Sequence, residues 1–141
     1  MIIKECSEHQ LGEILEIFNW AIANTTALYD YAPRSPQAIS EWYALRKNRQ
    51  IPVIGCFDDN NKLLGFATYG DFRHYEGYKF TVEHSVYVHP DYHQSGIGEI
   101  LLQRLIAQAK NNNIHTLVGV IDADNEASIR LHAKLGFVYC G

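Results

Sequence analysis

The feature that most constrains the fold is a strand, a glycine turn and a helix in direct succession. Residues 80–88 are rich in β-branched and aromatic side chains and stop at His89-Pro90-Asp91, which predicts a strand that ends in a turn. A glycine turn follows, and apolar residues then recur at helical steps. The turn is Gly96-Ile97-Gly98, and the apolar positions are Ile97, Ile100, Leu101, Leu105 and Ile106. The pattern predicts a helix from this turn to about residue 111.

The rest of the chain supplies further elements on both sides of this unit. Before it, the patterns predict a strand at 2–5, helices over 11–22 and 36–48, and strands at 52–57 and 63–70. After it, they predict a strand at 116–121, a helix that begins at Asp124 or Asn125 and stops at Gly136, and a last strand at 137–140. The order β-α-α-β-β-β-α-β-α-β predicts an α/β (α+β) protein with a mixed central sheet flanked by helices. A length of 141 residues predicts a single domain over 1–141.

Charge and composition narrow the class of partner. The formal net charge is -4, and the dense basic run Arg46-Lys47-Asn48-Arg49 is more typical of a solvated helix C-terminus than of a phosphate site. No nucleic-acid partner is therefore expected. No stretch approaches the ~18 apolar residues of a membrane span, and the N-terminus lacks a signal-peptide pattern. Cys6, Cys56 and Cys140 form no CxxC pair or disulfide framework, so we expect a cytoplasmic protein without a membrane partner.

The glycine turn suits an anionic ligand. Glycines at 96 and 98 let the backbone approach a bulky anion, and the first N–H groups of the helix are donors. A pyrophosphate would fit there, although a turn that needs glycine for its own geometry fits the pattern equally well. A Rossmann fingerprint needs a third glycine or alanine where the chain has Leu101, and the Gly-Lys-Ser/Thr of a Walker A loop is absent.

Four motifs together resemble the GNAT acetyltransferases. They are Val86-Tyr87-Val88-His89-Pro90, His93-Gln94-Ser95-Gly96-Ile97-Gly98, Asn125-Glu126-Ala127-Ser128 and Leu131-His132-Ala133-Lys134-Leu135-Gly136-Phe137. Asp71-Phe72-Arg73 and the run from Thr81 to Val88 resemble the phosphinothricin and methionine sulfone (methionine sulfoximine) acetyltransferases, over essentially the whole chain. The resemblance implies the GNAT acyl-CoA N-acyltransferase fold. It also implies transfer of an acetyl group from acetyl-CoA to the α-amino group of a small amino-acid-like acceptor.

Two departures from the family pattern are visible. The family's phosphate loop usually begins with Gln or Arg three residues before its first glycine, where this chain has His93. Related enzymes continue past the Leu-Gly-Phe motif with two strands, whereas this sequence stops at Gly141. From the first departure we expect a lower affinity for CoA. From the second we expect either a domain that lacks its last strand or strands and part of the acceptor pocket, or a given sequence that is incomplete.

The resemblance also implies the residues that bind the cofactor. The backbone of Val86, Tyr87 and Val88 would pair with the pantetheine arm, the loop and the helix start would cradle the pyrophosphate, and the opposite wall would add contacts. The loop residues are Gln94, Ser95, Gly96, Ile97, Gly98 and Glu99, and the wall residues are Asn125 and Ser128.

Acetyl transfer to an amine needs groups that move protons. An aliphatic amine titrates near ~10, so a base must take its proton at pH 7; the resemblance gives this role to Glu83, with an exposed strand carboxylate as the alternative. His84 could share it, since its reference pKa is ~6.5, although neighbouring strand residues face opposite ways unless a bulge intervenes. A backbone N–H of Val86 or Val88 would stabilise the oxyanion. His132 stands where many GNAT enzymes place a tyrosine acid and would protonate the CoA thiolate, or it is a hydrogen-bonded helix histidine.

The candidate acceptor contacts centre on the loop after Asp71. Arg73 could hold the acceptor carboxylate through a bidentate pair, or it is a solvated loop arginine. Aromatic walls would come from Tyr29, Phe72, Tyr75 and Tyr78, and the remaining candidates are His74, Glu83, His84 and Ser85. No metal is expected, because His84, His89 and His93 have no carboxylate or cysteine at ligand spacing.

Two other functions remain open. The early C-terminus and His93 are compatible with a non-catalytic acyl-CoA-binding module. A protein or peptide N-acetyltransferase would need an open groove, which Arg73 and the aromatic residues beside it disfavour. The expected partner is a small-molecule amine, and the resemblance is also compatible with a homodimer.

Overall fold

The strands and helices follow one another in nearly the order that the sequence predicts. The structure is a computed structural model and describes residues 1–24, 32–71, 80–93, 95–121 and 125–140. The strands in these ranges are β1 (Ile2–Glu5), β2 (Val53–Phe57), β3 (Leu63–Asp71), β4 (Thr81–Val88) and β5 (Thr116–Val118). The helices are α1 (Leu11–Asn24), α2 (Pro36–Asn48), α3 (Ile97–Asn111) and α4 (Glu126–Lys134). Short 3-10 turns lie at Glu8–Gln10 and Pro90–Tyr92.

Capping side chains fix where two of the helices begin. At α2, the Ser35 hydroxyl accepts the N–H of Ala38 at 3.1 Å, and Pro36 occupies the first turn, where its missing N–H costs nothing. At α4, the Asn125 side chain accepts the N–H of Ser128 at 3.1 Å. Asn125 is therefore the N-cap of α4, which decides between the two candidates that the sequence offered.

The five strands form one mixed sheet in the order β1-β2-β3-β4-β5. The first three pairs are antiparallel and the last, between β4 and β5, is parallel. The register of β3 with β4 pairs Gly65 with Val88 and Asp71 with Val82. The mixed sheet agrees with the predicted fold class, since α3 provides the crossover that a parallel pair requires.

Helices cover both faces of the sheet. On one face, Phe18 of α1 packs with Phe57 and Phe66 in a buried cluster. On the other face, Leu101 and Leu105 of α3 pack with buried residues of the central strands. The side chains of β4 alternate between these layers: Val82, Val86 and Val88 face α3, whereas Tyr87 faces α1 and α2. Neighbouring residues of β4 therefore present their side chains to opposite sides of the sheet.

The prediction of a last strand at 137–140 is wrong, and β5 ends at Val118 instead of residue 121. After α4 the chain turns through Gly136, which has φ 92°, and the N–H of Phe137 donates to the carbonyl of His132 at 3.0 Å. Phe137 is thus bound to the end of α4 and is not aligned along a neighbouring strand. A strand needs such a neighbour to bond its backbone groups.

No helix in the described ranges is long and apolar enough to cross a membrane.

Candidate active site

The pairing between β4 and β5 stops halfway along β4. β4 pairs with β3 from Val82 to Val88 but with β5 only from Thr81 to Glu83. The N–H of His89 donates to Leu64 in β3 at 2.8 Å, and backbone groups alternate in direction along a strand. The amides of Val86 and Val88 consequently face the β5 side, beyond the last paired residue. This edge offers donors and acceptors that suit a ligand with amide groups of its own, as the pantetheine arm of CoA has.

A glycine turn lies next to this open edge. Gly96 precedes α3 with φ 86°, a left-handed conformation that favours glycine. The first N–H groups of α3 have no acceptor inside the helix, so they form a donor set for an anion such as a pyrophosphate. A Cβ atom added to Gly98 would lie 3.7 Å from Leu131 and 3.8 Å from Val88. Gly98 therefore faces the space between the end of β4 and α4, and a side chain there would fill part of it.

The histidine that replaces the usual Gln or Arg of the loop has a partner inside the protein. The Nε2–H of His93 donates to the carbonyl of Val88 at 2.9 Å, since a carbonyl can only accept. The ring also packs edge-on against Trp20, with centroids 5.3 Å apart. Ser95 donates its hydroxyl to the carbonyl of Tyr92. These contacts tie the residues before the glycine turn to the end of β4.

The predicted wall residues take part in contacts of α4. Asn125 caps α4, and Ser128 gives its N–H to that cap. Glu99 at the start of α3 forms an ion pair with Lys134 of α4 at 2.9 Å. This contact joins α3 to α4. The structure therefore places Glu99 in the first turn of α3 and Asn125 and Ser128 at the start of α4, each with an internal contact of its own.

Glu83 opens into a cavity of ≈ 340 Å³ on the face of the sheet that α1 and α2 cover. The cavity is lined by Ser85 and Tyr87 of the same strand, by the aromatic rings of Phe18 and Trp42, and by Thr68. Its other lining residues are Arg34, Leu45, Arg46, Arg49, Ile51, Gly70 and Asp71. Glu83 itself is exposed, so its carboxylate can reach a molecule in this cavity.

The cavity contains arginines that no sequence motif indicates as site residues. Arg46 donates to the Thr68 hydroxyl at 3.1 Å and stacks 4.4 Å from the ring centre of Trp42. Burial lowers the pKa of the Arg46 guanidinium to about 10. The side chain thus turns inward, and the expectation that the whole basic run lies in solvent is wrong for Arg46. Its spacing from Trp42, four residues along α2, is the signal that would have found it.

Arg34 is the second inward arginine, and its backbone is clamped to α1. Its N–H donates to the Asn19 side chain at 2.8 Å, and Asn19 donates back to its carbonyl at 3.0 Å. The guanidinium lies 5.0 Å from the ring centre of Phe18, and its buried Nε has no hydrogen-bond partner among the described residues. A buried donor of this kind is available to an anionic or polar ligand.

His84 lies on the other face of β4 from Glu83. Its side chain is 6% exposed, and it meets His132 of α4, which is 9% exposed. The two Nε2 atoms are 2.9 Å apart. Burial, and secondarily the charge of His132, lower the pKa of His84 to about 4. Glu83 and His84 therefore do not line one pocket, and the alternation of the strand is not interrupted by a bulge.

The partners of His132 determine which of its nitrogens carries a proton. Nδ1 of His132 lies 2.7 Å from the carbonyl of Ser128, which can only accept, so Nδ1 bears the hydrogen. In the neutral ring, Nε2 is then an acceptor. The 2.9 Å contact consequently requires that His84 donate from its own Nε2. No sequence pattern indicates this pair, since 48 residues separate its members.

Seven of the predicted contact residues lie in other parts of the chain. Tyr29, Phe72, Arg73, His74, Tyr75, Tyr78 and Gln94 lie outside the described residues. Within the described ranges, no group of three or more His, Cys, Asp or Glu side chains could hold a metal ion.

Comparison with known proteins identifies the family. The model of the acetyltransferase (GNAT) family matches residues 14–137. The L-methionine sulfoximine/L-methionine sulfone acetyltransferase of Pseudomonas aeruginosa is 40% identical over 139 residues, which cover 99% of this chain and 81% of that protein. The chain therefore belongs to the acetyltransferase (GNAT) family. It is an N-acetyltransferase, and acetyl-CoA is its acetyl donor.

Solved structures give the same result. An N-acetyltransferase from Staphylococcus aureus superposes with a TM-score of 0.95 at 43% identity, covering 99% of this chain and 84% of that one. A GNAT superfamily phosphinothricin acetyltransferase from Sinorhizobium meliloti, solved in complex with acetyl-CoA, superposes with a TM-score of 0.95 at 27% identity. That alignment covers 99% of this chain and 76% of the other. The predicted fold class is thereby confirmed.

Proposed function

We propose that the acceptor is the α-amino group of a small amino-acid-like compound of the methionine sulfone, methionine sulfoximine or phosphinothricin type. The observation that carries the proposal is the cavity of ≈ 340 Å³ beside Glu83. This volume is at the small end of the ~300–1,000 Å³ range of ligand pockets, which suits one amino acid better than a peptide. The Pseudomonas aeruginosa relative acetylates the first two compounds, and the Sinorhizobium meliloti relative is a phosphinothricin acetyltransferase.

The arginines of the cavity favour an acceptor that carries a carboxylate. Arg46 and Arg34 lie with Glu83 around one space, so a zwitterion could place its ammonium toward the carboxylate and its carboxylate or side-chain oxygens toward the guanidinium groups. Guanidinium binds such oxygens through paired N–H donors. Ser85 would add a hydroxyl from β4. By resemblance, Tyr29, Arg73, His74 and Tyr75 would complete the acceptor contacts.

Glu83 is the proposed general base. The acceptor amine is an ammonium ion at pH 7, because such amines titrate near ~10, and it can attack a thioester only after losing a proton. Glu83 lies at the last position of β4 that pairs with β5. Its carboxylate therefore stands where the open edge begins and can take the proton directly or through a water molecule.

The open edge of β4 and the glycine turn are the proposed binding site of acetyl-CoA, which supplies the thioester carbonyl that the amine attacks. Val86, Tyr87 and Val88 would bond its amide groups, with the N–H of Val86 or Val88 directed at the carbonyl oxygen. The loop from Gln94 through Ser95, Gly96, Ile97, Gly98 and Glu99 would hold the pyrophosphate on the amides of α3. Asn125 and Ser128 would contact the cofactor from the start of α4.

His132 is the proposed source of the proton for the CoA thiolate. In its neutral form the ring carries its hydrogen on Nδ1, toward Ser128, and its Nε2 is an acceptor. The Nε2 lone pair accepts the hydrogen bond from His84, so that bond must break before the ring can take up a proton at Nε2 and donate it. His132 would be recharged by solvent between turnovers, while Glu83 releases the proton of the amine.

A thiol-release assay with acetyl-CoA tests the acceptor class and the base together. We expect free thiol with L-methionine sulfone, L-methionine sulfoximine or phosphinothricin, and none with a peptide. In Glu83→Gln, kcat should fall by about a hundredfold or more, since acid–base catalysis contributes ~10²–10⁴-fold, while calorimetry should detect unchanged acetyl-CoA binding. Glu41→Gln, which changes an exposed carboxylate of α2, is the matched control.

Two results would contradict the proposal. If none of the three amino-acid analogues releases thiol, the acceptor class is wrong. If Glu83→Gln turns over as fast as the unsubstituted protein, Glu83 is not the base, whatever the acceptor.

We also propose a cellular location and an oligomeric state for the enzyme. The thiols of Cys6, Cys56 and Cys140 are free, which fits the cytoplasm. A homodimer is supported by the exposed apolar side chains of Val138 and Tyr139, which are 82% and 91% exposed. Light scattering that gives the mass of one chain would contradict the dimer.

A further inference from the structure

Arg34 and Arg46 line the acceptor cavity on two different walls. Arg46 extends from α2 over β3, where a Cβ atom added to Gly70 would lie 3.3 Å from its terminal Nη2. Gly70 is paired with Glu83 of β4. Arg34 instead lies against α1, with its guanidinium 5.0 Å from the ring centre of Phe18. The Arg46 guanidinium is therefore the one beside the β3 position opposite the proposed base.

The backbone of Arg34 is fixed independently of its side chain. Asn19 of α1 bonds both its N–H and its carbonyl, at 2.8 and 3.0 Å, and the next residue, Ser35, is the N-cap of α2. These anchors use no atom of the guanidinium. Its Nε is buried and has no hydrogen-bond partner among the described residues. A buried N–H without an acceptor is costly, and an oxygen atom of a ligand would satisfy it.

The cavity carries more positive charge than an ordinary amino acid can balance. Of its three arginines, Arg49 is the one that forms an ion pair with a described residue, binding Asp71 at 3.0 and 2.7 Å. Burial first, and then the charges of Arg34 and Arg49, lower the pKa of the Arg46 guanidinium to about 10, so these guanidinium groups repel one another. Beyond the ion pair, the charged groups of the described lining are Arg34, Arg46 and the carboxylate of Glu83.

The acceptor of the proposed function matches only part of this charge. Its ammonium group suits Glu83, and its α-carboxylate suits one guanidinium. Arg46 is the better placed for that carboxylate, because it lies beside the position opposite Glu83 and one carbon atom joins the ammonium to the carboxylate. Arg34 on the α1 wall is then left without an anion. Arg73, which the resemblance assigns to the same carboxylate, would only enlarge this excess.

We propose that Arg34 is a specificity-determining residue that binds an oxyanion at the end of the acceptor side chain. The preferred acceptors are then amino acids with a sulfonate, phosphinate or carboxylate group in the side chain, and a neutral sulfone is a weaker acceptor. Guanidinium binds such groups through paired N–H donors. The inference rests on the proposed function, since it takes the cavity beside Glu83 as the acceptor site. It narrows that function to acceptors that carry a second negative charge.

Two acceptors of nearly the same shape isolate this charge. L-Homocysteate and L-methionine sulfone share one carbon chain and a tetrahedral sulfur atom, and a negatively charged oxygen of the sulfonate stands where the sulfone has its methyl group. With CoA bound, which allows no turnover, calorimetry at pH 7.5 measures the affinity of each. We expect L-homocysteate to bind at least about tenfold more tightly, the gain from one charge-assisted hydrogen bond. Equal affinities, or tighter binding of the sulfone, would overturn the inference.

Substitution of Arg34 tests whether this side chain reads the charge. Arg34→Gln removes the guanidinium and leaves the backbone contacts with Asn19 in place. We expect kcat/KM for L-homocysteate to fall by about ten- to a hundredfold, while kcat/KM for L-methionine sulfone stays within about threefold. Arg34→Lys should give an intermediate value for L-homocysteate, because lysine keeps the charge but lacks the planar guanidinium.

Two other arginines provide the controls. Arg104→Gln removes an exposed arginine of α3, with the same change in net charge, and should alter kcat/KM for neither acceptor. Arg46→Gln should lower kcat/KM for both acceptors by a similar factor, since both carry the α-carboxylate. An equal loss for both acceptors in Arg34→Gln would assign Arg34 to that carboxylate and overturn the inference. Unchanged values for both would remove Arg34 from the acceptor site.

The inference and the proposed function fail in different ways. If the enzyme acetylates L-methionine sulfone but binds L-homocysteate no more tightly, the role of Arg34 is wrong and the acceptor class stands. If no amino-acid analogue releases thiol, the proposed function is wrong, and calorimetry with the same two compounds still decides whether the cavity selects an oxyanion. Should Arg34→Gln fail to fold, the two affinities of the unsubstituted protein decide the question alone.

Discussion

Acidification should destabilise this protein partly through His84. Burial, and then the charge of His132, lower the pKa of His84 from 6.5 to about 4. Because this folded-state pKa lies below the unfolded value, the unfolded chain binds more protons between these two pH values. The folded state is therefore favoured fully above pH 6.5, and this contribution is lost as the pH falls toward 4. Among the described residues, the titratable groups beside His84 are His132 of α4 and Tyr69, which lies opposite His84 in β3. Gly119 after β5 and Phe137 after α4 do not titrate.

The size of the effect follows from the displacement of the pKa. One pKa unit is equivalent to about 1.4 kcal/mol, so a change from 6.5 to about 4 corresponds to on the order of 3 kcal/mol. The linkage relation places about 2 kcal/mol of this loss between pH 7 and pH 4.5. That is a large fraction of the 5–15 kcal/mol that ordinarily separates folded from unfolded states. Equilibrium unfolding experiments can therefore measure this loss of stability.

Urea unfolding of two proteins isolates the contribution of His84. His84→Gln removes the titrating ring but keeps a donor toward His132, so the remaining groups titrate in similar surroundings. Between pH 7 and pH 4.5, the free energy of unfolding should fall by about 2 kcal/mol more in the unsubstituted protein than in His84→Gln. Tyr69→Phe should keep the pH dependence of the unsubstituted protein. If the two pH dependences agree within about 0.5 kcal/mol, burial does not hold His84 neutral, and the reasoning is refuted.

Two further substitutions test the geometry of the site. Gly119→Ala places a methyl group 3.0 Å from Cε1 of His84. We expect the free energy of unfolding to fall by about 1–3 kcal/mol and kcat to fall as well. An unchanged kcat would mean that the contact between the two rings is not needed for activity. Arg46→Gln removes the guanidinium that stacks on Trp42 and should raise KM for L-methionine sulfone about tenfold, or about 1.4 kcal/mol, with KM for acetyl-CoA unchanged. Arg46→Lys should have an intermediate KM for L-methionine sulfone, because lysine keeps the charge but lacks the planar guanidinium. Equal KM values in all three proteins would exclude Arg46 from acceptor binding.

Local patterns were sufficient for most of the fold. The apolar steps of α1 and α3 and the β-branched run of β4 specify their elements whatever the rest of the chain does, and Ser35 marks the start of α2 by its capping chemistry. The segment at 137–140 shows the limit of such patterns. Its apolar and aromatic residues have strand character, but strand formation depends on a neighbouring strand, and Phe137 instead packs on two histidine rings. β5 is short for a related reason, since its pairing with β4 ends at Val118.

The site was only partly predictable, because some of its residues belong to local motifs and others are brought together only by the tertiary fold. Glu83 and the glycine turn are carried by local motifs, and the alternation of β4 implied that Glu83 and His84 face opposite ways. The partner of His84 lies on α4, and the inward turn of Arg34 depends on a clamp from Asn19 in α1. Contacts of this kind depend on how the helices pack on the sheet. The spacing of residues within one segment does not determine that packing.

The opposite placement of Glu83 and His84 has a consequence for the reaction. Acetyl transfer to an ammonium ion requires a proton to leave the amine and a proton to reach the thiolate. Glu83 faces the cavity under α1 and α2, whereas His84 and His132 lie on the α3 and α4 side. Because β4 separates them, a proton cannot pass directly from the carboxylate to the imidazole pair. Under the proposed roles of Glu83 and His132, each group would exchange protons with solvent on its own side, and the open edge of β4 would be where the acceptor and the thioester meet.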